Sequence, residues 1–273
     1  MAGKGWNLME QIRLVATDID GTFVHADHHY DQVRFHRIFE KMQQANCHFV
    51  VASGDQYYTL RDLFADVADQ ITFVAENGAL IVDHGEILLA QSMDKEAVTK
   101  IIELTHRNPE IQMTMCGLKG AYCERGAVDQ AFFDLTHKYY HQLSWVDNFA
   151  NVDDQILKFA ANVPSERTTE YIQLFQQELY KHAEPTSSGY GAIDLIIPGC
   201  HKAAGLKTLT DRWQISSTEC MAFGDGGNDI EMLQFCKHSY AMANASAEVK
   251  KAAANHCPSN EEGGVLDVLE EMW

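Results

Sequence analysis

The stretch Leu14-Val15-Ala16-Thr17-Asp18-Ile19-Asp20-Gly21-Thr22-Phe23 constrains this chain more than any other. A short apolar run ends in two carboxylates two residues apart, followed by Gly and Thr. The run reads as a buried strand. Gly21 stops it, so Asp18 and Asp20 fall at the strand's C-terminal end, where alternate side chains share a face. Two like charges this close cost energy when both are ionised, unless a cation or a shared proton compensates. Taken alone, Asp-x-Asp is more often an acidic turn after an edge strand. The rest of the chain decides against that reading.

Downstream, strands and helices alternate. Val33 to Gln44 carries apolar residues at helical spacing, His48 to Ala52 reads as a strand, and Tyr57, Leu60, Leu63 and Phe64 recur as a helix after the turn Ser53-Gly54-Asp55. Ser53 is in position to cap that helix, or to offer its hydroxyl and the turn's N–H groups to an anion. Ile71 to Ala75 is a third strand, ended by Glu76-Asn77-Gly78, and Ala79 to Val82 a further short one. This is the pattern of a parallel sheet with helices on its faces. His25, His28 and His29 read as a solvated loop.

From about Glu86 the pattern changes. Helices over Asp94–His106, Asp129–His141 and Glu170–Tyr180 are interspersed with strands over Gln112–Met115, Ala121–Cys123, Ile156–Val163 and Ile193–Ile197, with a polar, Gly-rich stretch at Thr186–Gly191. Alternation then resumes: a helix from His201-Lys202, a strand Cys220–Phe223, the loop Gly224-Asp225-Gly226-Gly227-Asn228-Asp229, a helix, a strand Ser239–Met242, a helix through Ala254 and a C-terminal helix. The expected organisation is a core of residues 1–85 and 200–273, with residues 86–199 as an inserted α+β unit.

The net charge of -18 argues against a nucleic-acid or anionic-membrane partner. It also means that an anionic substrate must be drawn by a local cation or a few placed donors. The seven cysteines are scattered, with no Cys-x-x-Cys pair, so neither a disulfide framework nor a zinc site is indicated. Met1 to Glu10 has no apolar signal core, and the expected location is cytoplasmic.

Turns at the carboxyl ends of parallel strands line one crevice, where ligands bind. That gathers Asp18, Asp20, Ser53, Asp225, Asn228, Asp229 and Lys202. Hard oxygen donors suit Mg²⁺, which keeps waters and partners phosphates. Phosphoryl transfer needs charge neutralisation, placed donors, a nucleophile and an acid/base. An aspartate can form an acyl phosphate, and a second can protonate the leaving alcohol and then activate water.

At these residues the sequence resembles the haloacid dehalogenase superfamily of phosphatases. Asp18-Ile19-Asp20-Gly21-Thr22, Ser53, Lys202 and Gly224-Asp225-Gly226-Gly227-Asn228-Asp229 occur in that family's order. The insert between Ser53 and Lys202, with Glu76-Asn77-Gly78-Ala79 before it and Asn244-Ala245 near the end, is similar to the Cof-type (IIB) branch with its α/β (C2B) cap. Val50 to Tyr58 and Ile193 to Gly199 resemble bacterial sugar phosphatases of the SupH kind. The resemblance implies an α/β fold with a Rossmann-like parallel-sheet core and an inserted cap. It implies Asp18 as nucleophile and Asp20 as general acid/base. For Mg²⁺ it implies the Asp18 and Asp225 carboxylates, the Asp20 backbone carbonyl and Asp229 in support. Phosphate would be gripped by Ser53, the Gly54 and Ile19 N–H groups, Lys202 and Asn228, with Thr22 orienting the nucleophile loop. Asp55 stands where most members carry Arg, and suits a sugar hydroxyl or a helix cap. Ala203-Ala204-Gly205 follows Lys202 where many members carry Gly directly.

The expected function is hydrolysis of small sugar phosphates, with a monomer consistent with the sequence. The rivals are a phosphotransferase or mutase using the same phosphoenzyme, a hydrolase of a nucleotide or cofactor phosphate, and a sensing module on a dead hydrolase fold. Substrate choice is expected in the cap, at Gly117 in one turn and at Ser187, Ser188 and Tyr190 in another.

Overall fold

The computed structural model describes residues 12–189 and 191–273, with Ser188 and Gly189 described by their backbone alone. Met1 to Glu10 and Tyr190 lie outside the described residues. The chain forms two compact units. One comprises the chain up to Val50, Lys207–Asp225 and Asp229–Trp273; the other comprises Val51–Leu206 with Gly226–Asn228.

The chain opens with β1 (Leu14–Thr17), α1 (Gln32–Gln44) and β2 (His48–Ala52). β1 is fully buried, as its unbroken apolar run requires. On α1, Phe35, Ile38, Phe39 and Met42 form one buried stripe, and the Asp31 carboxylate caps the helix by accepting from the Arg34 N–H. Phe35 packs edge-on to Phe23 (5.4 Å between centroids) and against Phe49 at 4.9 Å, so three aromatic rings anchor the loop after β1 to α1 and β2. Aromatic pairs in such geometry contribute about 0.5–1.5 kcal/mol each beyond their burial.

The second unit begins with α2 (Tyr57–Leu63), β3 (Thr72–Ala75), β4 (Leu80–Asp83) and β5 (Glu86–Ala90). β4 runs antiparallel to both β3 and β5, so the alternation read from the sequence as purely parallel ends in a meander. β5 was not foreseen: its Glu86 was read as part of the preceding turn, and none of its residues is fully buried, the last three being only half-buried. The α2 N-cap position is Gln56, without a side-chain cap bond. Ser53 and Asp55 therefore do not cap it, contrary to the sequence expectation. The helix starts too far along the chain, after a bend that the Ser53 turn makes first.

Next come α3 (Lys95–Arg107), β6 (Gln112–Gly117), β7 (Ala121–Glu124), α4 (Gln130–Thr136), β8 (Leu143–Val146), β9 (Ile156–Asn162), α5 (Thr168–Glu178), β10 (Glu184–Gly189), β11 (Ala192–Ile196) and α6 (Lys202–Trp213). Six of these strands form one sheet in the order β10-β11-β9-β6-β7-β8. Ile101, Leu104, Phe159, Phe175 and Leu195 are buried between that sheet and its helices. The polar Thr186–Gly191 stretch, read as a loop, is mostly strand: β10 pairs antiparallel with β11 through Glu184–Ile196 and its neighbours. Backbone pairing overrode a composition without strand propensity. The chain ends with β12 (Cys220–Gly224), α7 (Ile230–Phe235), β13 (His238–Met242), α8 (Ala247–Ala252), β14 (Asn255–Cys257) and α9 (Gly264–Met272).

In the first unit β1, β12, β13 and β14 are consecutive parallel neighbours. This parallel sheet aligns the carboxyl ends of β1 and β12, with Thr17 beside Phe223. All seven cysteines are buried free thiols. Among the described residues no helix is long and apolar enough to cross a membrane.

Position 205 of α6 requires glycine, because a Cβ there would collide with the Val74 Cγ1 of β3. Gly205→Ala gains about 1 kcal/mol of helix propensity. It costs about 1–3 kcal/mol of overpacking, and the stiff branched valine cannot turn away. Overpacking wins: the variant is expected to melt a few degrees below the wild type by calorimetry, and an equal or higher melting temperature would refute the contact.

Candidate active site

In the first unit, β1 and β12 deliver Asp18, Asp225 and Asp229 to one place. One carboxylate oxygen from each lies within 4.8 Å of the others. Asp18 is 7% exposed and Asp229 fully buried. Three carboxylates at this separation repel strongly in a water-poor setting. The set offers hard oxygen donors only, so it fits a small divalent cation.

The surrounding backbone is built for this crowding. The Asp18 N–H donates to the Phe223 carbonyl at 3.0 Å, continuing the β1–β12 ladder to Asp18. The chain then turns tightly, with the N–H groups of Thr22, Phe23 and Val24 all converging on the Ile19 carbonyl at 2.9–3.2 Å. Gly21 sits in the turn at φ 73°, and a Cβ there would stand 2.5 Å from Asp225 Oδ2. Only glycine satisfies both demands. At Gly224 a Cβ would meet the Asp229 Cβ at 2.6 Å. Asp229 Oδ2 accepts the Asp225 N–H at 3.0 Å, so one carboxylate of the cluster holds the backbone of another. Thr22 Oγ1 donates to Asp225 Oδ1 at 2.8 Å.

The Asn244 amide, just past β13, donates to the Gly21 carbonyl at 2.8 Å and to Asp225 Oδ2 at 3.3 Å. Sequence reasoning gave Asn244 no role; an amide directly after a parallel strand was the available signal. The Asp20 carboxylate is not part of the three-carboxylate cluster. It is 47% exposed, with His28 Nδ1 3.2 Å from its Oδ1. One histidine of the loop read as merely solvated therefore contacts a predicted catalytic residue.

The other predicted residues belong to the second unit. Ser53 is buried, and its Oγ accepts the Asp55 N–H at 3.1 Å. Lys202 is buried as the first residue of α6. The Asn228 amide donates to Asn77 Oδ1 at 3.2 Å. Gly117 is a packing glycine: a side chain there would strike the Asp154 carboxylate, which also accepts from Tyr122 Oη and the Lys119 N–H. Ser187 spends its hydroxyl within its own hairpin, on the Ala192 carbonyl at 2.9 Å. Its carbonyl would lie 3.3 Å from a Cβ at Gly227. The Ser188 side chain and Tyr190 lie outside the described residues.

A buried charge cluster in this unit escaped sequence reading. Lys158 of β9, 2% exposed, donates from Nζ to Asp194 Oδ2 at 2.8 Å and to the Gly54 carbonyl at 2.6 Å, and lies 3.4 Å from Glu76 Oε2. Asn77 Nδ2 also donates to Asp194 Oδ2, at 2.5 Å. A lysine inside the otherwise apolar Ile156–Asn162 strand was the signal. Burial alone pushes the Lys158 ammonium down, but Asp194, with Tyr140 and Glu76, outweighs it and holds it well above the ordinary lysine range. Burial pushes the Asp55 carboxyl up, with Lys158 the largest opposing influence.

A family model for haloacid dehalogenase-like hydrolases matches residues 15–269. The 5-amino-6-(5-phospho-D-ribitylamino)uracil phosphatase YbjI of Escherichia coli is 39% identical over 261 residues, covering 96% of each chain. An HMP-PP phosphatase of Yersinia pseudotuberculosis is 23% identical over 240 residues, covering 88% of this chain and 86% of that protein. Among solved structures, SMU.1108c of Streptococcus mutans superimposes with a TM-score of 0.92 at 37% identity, covering 96% of this chain and 99% of the other. The subclass IIB sugar phosphatase BT4131 superimposes at 0.82, with 18% identity, over 95% and 98%. This chain belongs to the haloacid dehalogenase-like hydrolases, in their Cof-type branch. Its fold is α/β, a Rossmann-like parallel-sheet core plus a cap.

Glu76 Oε2 is buried without a hydrogen-bond partner among the described residues. Its carboxyl is pushed up from 4.5 to about 7, first by burial, with Lys158 pulling the other way. The folded state therefore keeps a proton that the unfolded chain releases above 4.5. The stability this contributes is complete below that value and is lost as pH rises through about 7. Integrated over that window, the loss is on the order of 3 kcal/mol. Glu76→Gln is expected to flatten the fall in melting temperature with rising pH across this range; an unchanged slope would remove Glu76 as its source.

Proposed function

We propose that the protein is a Mg²⁺-dependent phosphatase acting on small phosphorylated sugars and polyols through a phosphorylated Asp18. The observation that carries this is the Asp18–Asp225–Asp229 cluster: three carboxylates held together by two glycines that nothing else could replace. Their crowding makes sense with a divalent cation among them. When bound, Mg²⁺ neutralises charge and orients the phosphoryl group. Asp18 and Asp225 are the carboxylates we assign to it, with the Asp20 backbone carbonyl; Asp229, through the Asp225 N–H, holds the ligand loop in place.

In this reading an Asp18 carboxylate oxygen attacks phosphorus and the bond to the ester oxygen breaks. Asp20 protonates the departing alkoxide. Asp20 then takes a proton from the water that attacks phosphorus, releasing inorganic phosphate and restoring Asp18. The half-exposed Asp20 beside His28 suits a group that must exchange protons with solvent. Ser53, the N–H groups of Gly54 and Ile19, Lys202 and Asn228 grip the phosphate. Thr22 orients the nucleophile loop through Asp225. Residues 1–85 and 200–273 serve as the core, and 86–199 as the cap. Of the cap positions, Gly117 is the poorer specificity candidate, since the room there is claimed by Asp154.

Two relatives frame the substrate class. The Escherichia coli relative is named for a phosphate ester on a ribityl chain, and BT4131 for sugar phosphates. Both are phosphate esters on polyhydroxylated carbon chains, and we place this protein's substrate there. The test is phosphate release from a panel of sugar phosphates, phosphorylated polyols including the ribitylaminouracil ester, nucleotides and para-nitrophenyl phosphate, with Mg²⁺ or EDTA. Mg²⁺-dependent release, fastest on the polyhydroxylated esters, is expected. Asp18→Asn should lose at least ~1000-fold of that rate, the scale of removing a covalent nucleophile. Nucleotide preference would overturn the substrate class. Substrate consumed only with an added sugar acceptor, its phosphoryl group appearing on that acceptor and not as free phosphate, would indicate a phosphotransferase.

A further inference from the structure

The turn Ser53-Gly54-Asp55 has every one of its carbonyls pinned from behind. The Asn77 N–H donates to the Ser53 carbonyl at 3.0 Å and the Glu76 N–H to the Asp55 carbonyl at 3.2 Å. Lys158 Nζ donates to the Gly54 carbonyl between them, at 2.6 Å. Glu76 and Asn77 adopt φ of 51° and 54° to do so, a backbone strain that non-glycine residues seldom carry. In a trans peptide the carbonyl of one residue and the N–H of the next point in opposite directions. Pinning the Ser53 carbonyl therefore aims the Gly54 N–H. Pinning the Gly54 carbonyl aims the Asp55 N–H, which donates to Ser53 Oγ at 3.1 Å. Lys158 thus sits at the head of a relay from a strand interior, through one peptide plane, to the Ser53 hydroxyl. A second branch runs through Asp194 to Asn77 and from Asn77 Oδ1 to the Asn228 amide. Gly54 is closely hemmed in by the same groups: a Cβ there would lie 3.1 Å from Asn77 Nδ2 and 3.2 Å from Asp194 Oδ2.

We infer that Lys158 is a positioning residue for the phosphate-gripping groups, acting through the Gly54 peptide on Ser53 and through Asp194 and Asn77 on Asn228. The inference rests on the phosphatase reading above, which gives Ser53, Gly54 and Asn228 their task. Groups that hold phosphate alike in substrate and transition state set KM more than kcat.

The test uses the full chain with Mg²⁺ and para-nitrophenyl phosphate, measuring kcat, KM and inhibition by inorganic phosphate. Lys158→Met is expected to raise KM and the phosphate inhibition constant together by about tenfold, the scale of losing a hydrogen bond to a charged group. kcat should change less. In a Ser53→Ala background the same substitution should have at most about a twofold effect, because the relay's end is gone. Lys158→Met leaves buried carboxylates without their cation and risks misfolding. The comparison is therefore repeated between Glu76→Gln and Glu76→Gln/Lys158→Met, where one of those charges is removed. A folded, active variant with an unmoved phosphate inhibition constant, or an equal effect with and without Ser53, would overturn the inference while leaving the phosphatase reading intact. A wild type that releases phosphate from no substrate would remove that reading and the inference with it.

Discussion

The mutual repulsion of Asp18, Asp225 and Asp229 is the constraint on which the first unit depends. Nothing in an ordinary core brings three carboxylates within 4.8 Å, since each buried charge costs several kcal/mol unless compensated. The neighbouring sequence is arranged to make the approach possible. Two parallel strands run side by side and end together. Glycines stand at 21 and 224, where any Cβ would strike an aspartate. Thr22, Asn244 and the Asp225 N–H supply donors that hold the carboxylates in register. A chain that pays for such an arrangement gains from it when a cation is bound.

The second unit solves a different problem, that of holding a short turn rigid. It does so with a buried lysine, two carboxylates and a pair of left-handed residues. Each of these is unfavourable alone: strained backbone costs about 1–3 kcal/mol per residue, and removing one partner of a buried pair costs about 3–5 kcal/mol. Together they satisfy three consecutive carbonyls that no regular ladder serves. The raised Glu76 carboxyl is the residue of that compromise, a buried carboxyl whose nearby cation also serves Asp194 and the Gly54 carbonyl.

Much of this was legible in the sequence because it follows from period and punctuation. The strands ending at Thr17, Ala52 and Gly224 are apolar runs stopped by small polar turns, and Asp18 after β1 converges with Asp225 and Asp229 after β12, as parallel pairing requires, while the Asp20 carboxylate does not join them. What escaped depends on long-range pairing. β8 and β14 are short and partly exposed, and β10 is built of polar residues that pair only because β11 is beside them. α4 stops at Thr136, earlier than its apolar residues suggested. Ser53 looked like a helix cap because local rules see only the next residues, whereas its turn is shaped by Glu76, Asn77 and Lys158. Those partners lie 23, 24 and 105 positions on, beyond the reach of any local pattern. Lys158 itself announced the cluster only as a charge where a strand should be apolar.

The most direct test of the central claim, that Asp18 is a nucleophile set beside a divalent-cation site, is to trap the covalent intermediate. The Asp20→Asn variant, mixed with a good substrate and Mg²⁺ and quenched in acid, is examined by intact-protein and peptide mass spectrometry. The account predicts one added phosphoryl group, located on Asp18 and absent when Mg²⁺ is removed or Asp18 is replaced by Asn. Substrate turnover with no phosphorylated Asp18, or a label on another residue, would contradict it.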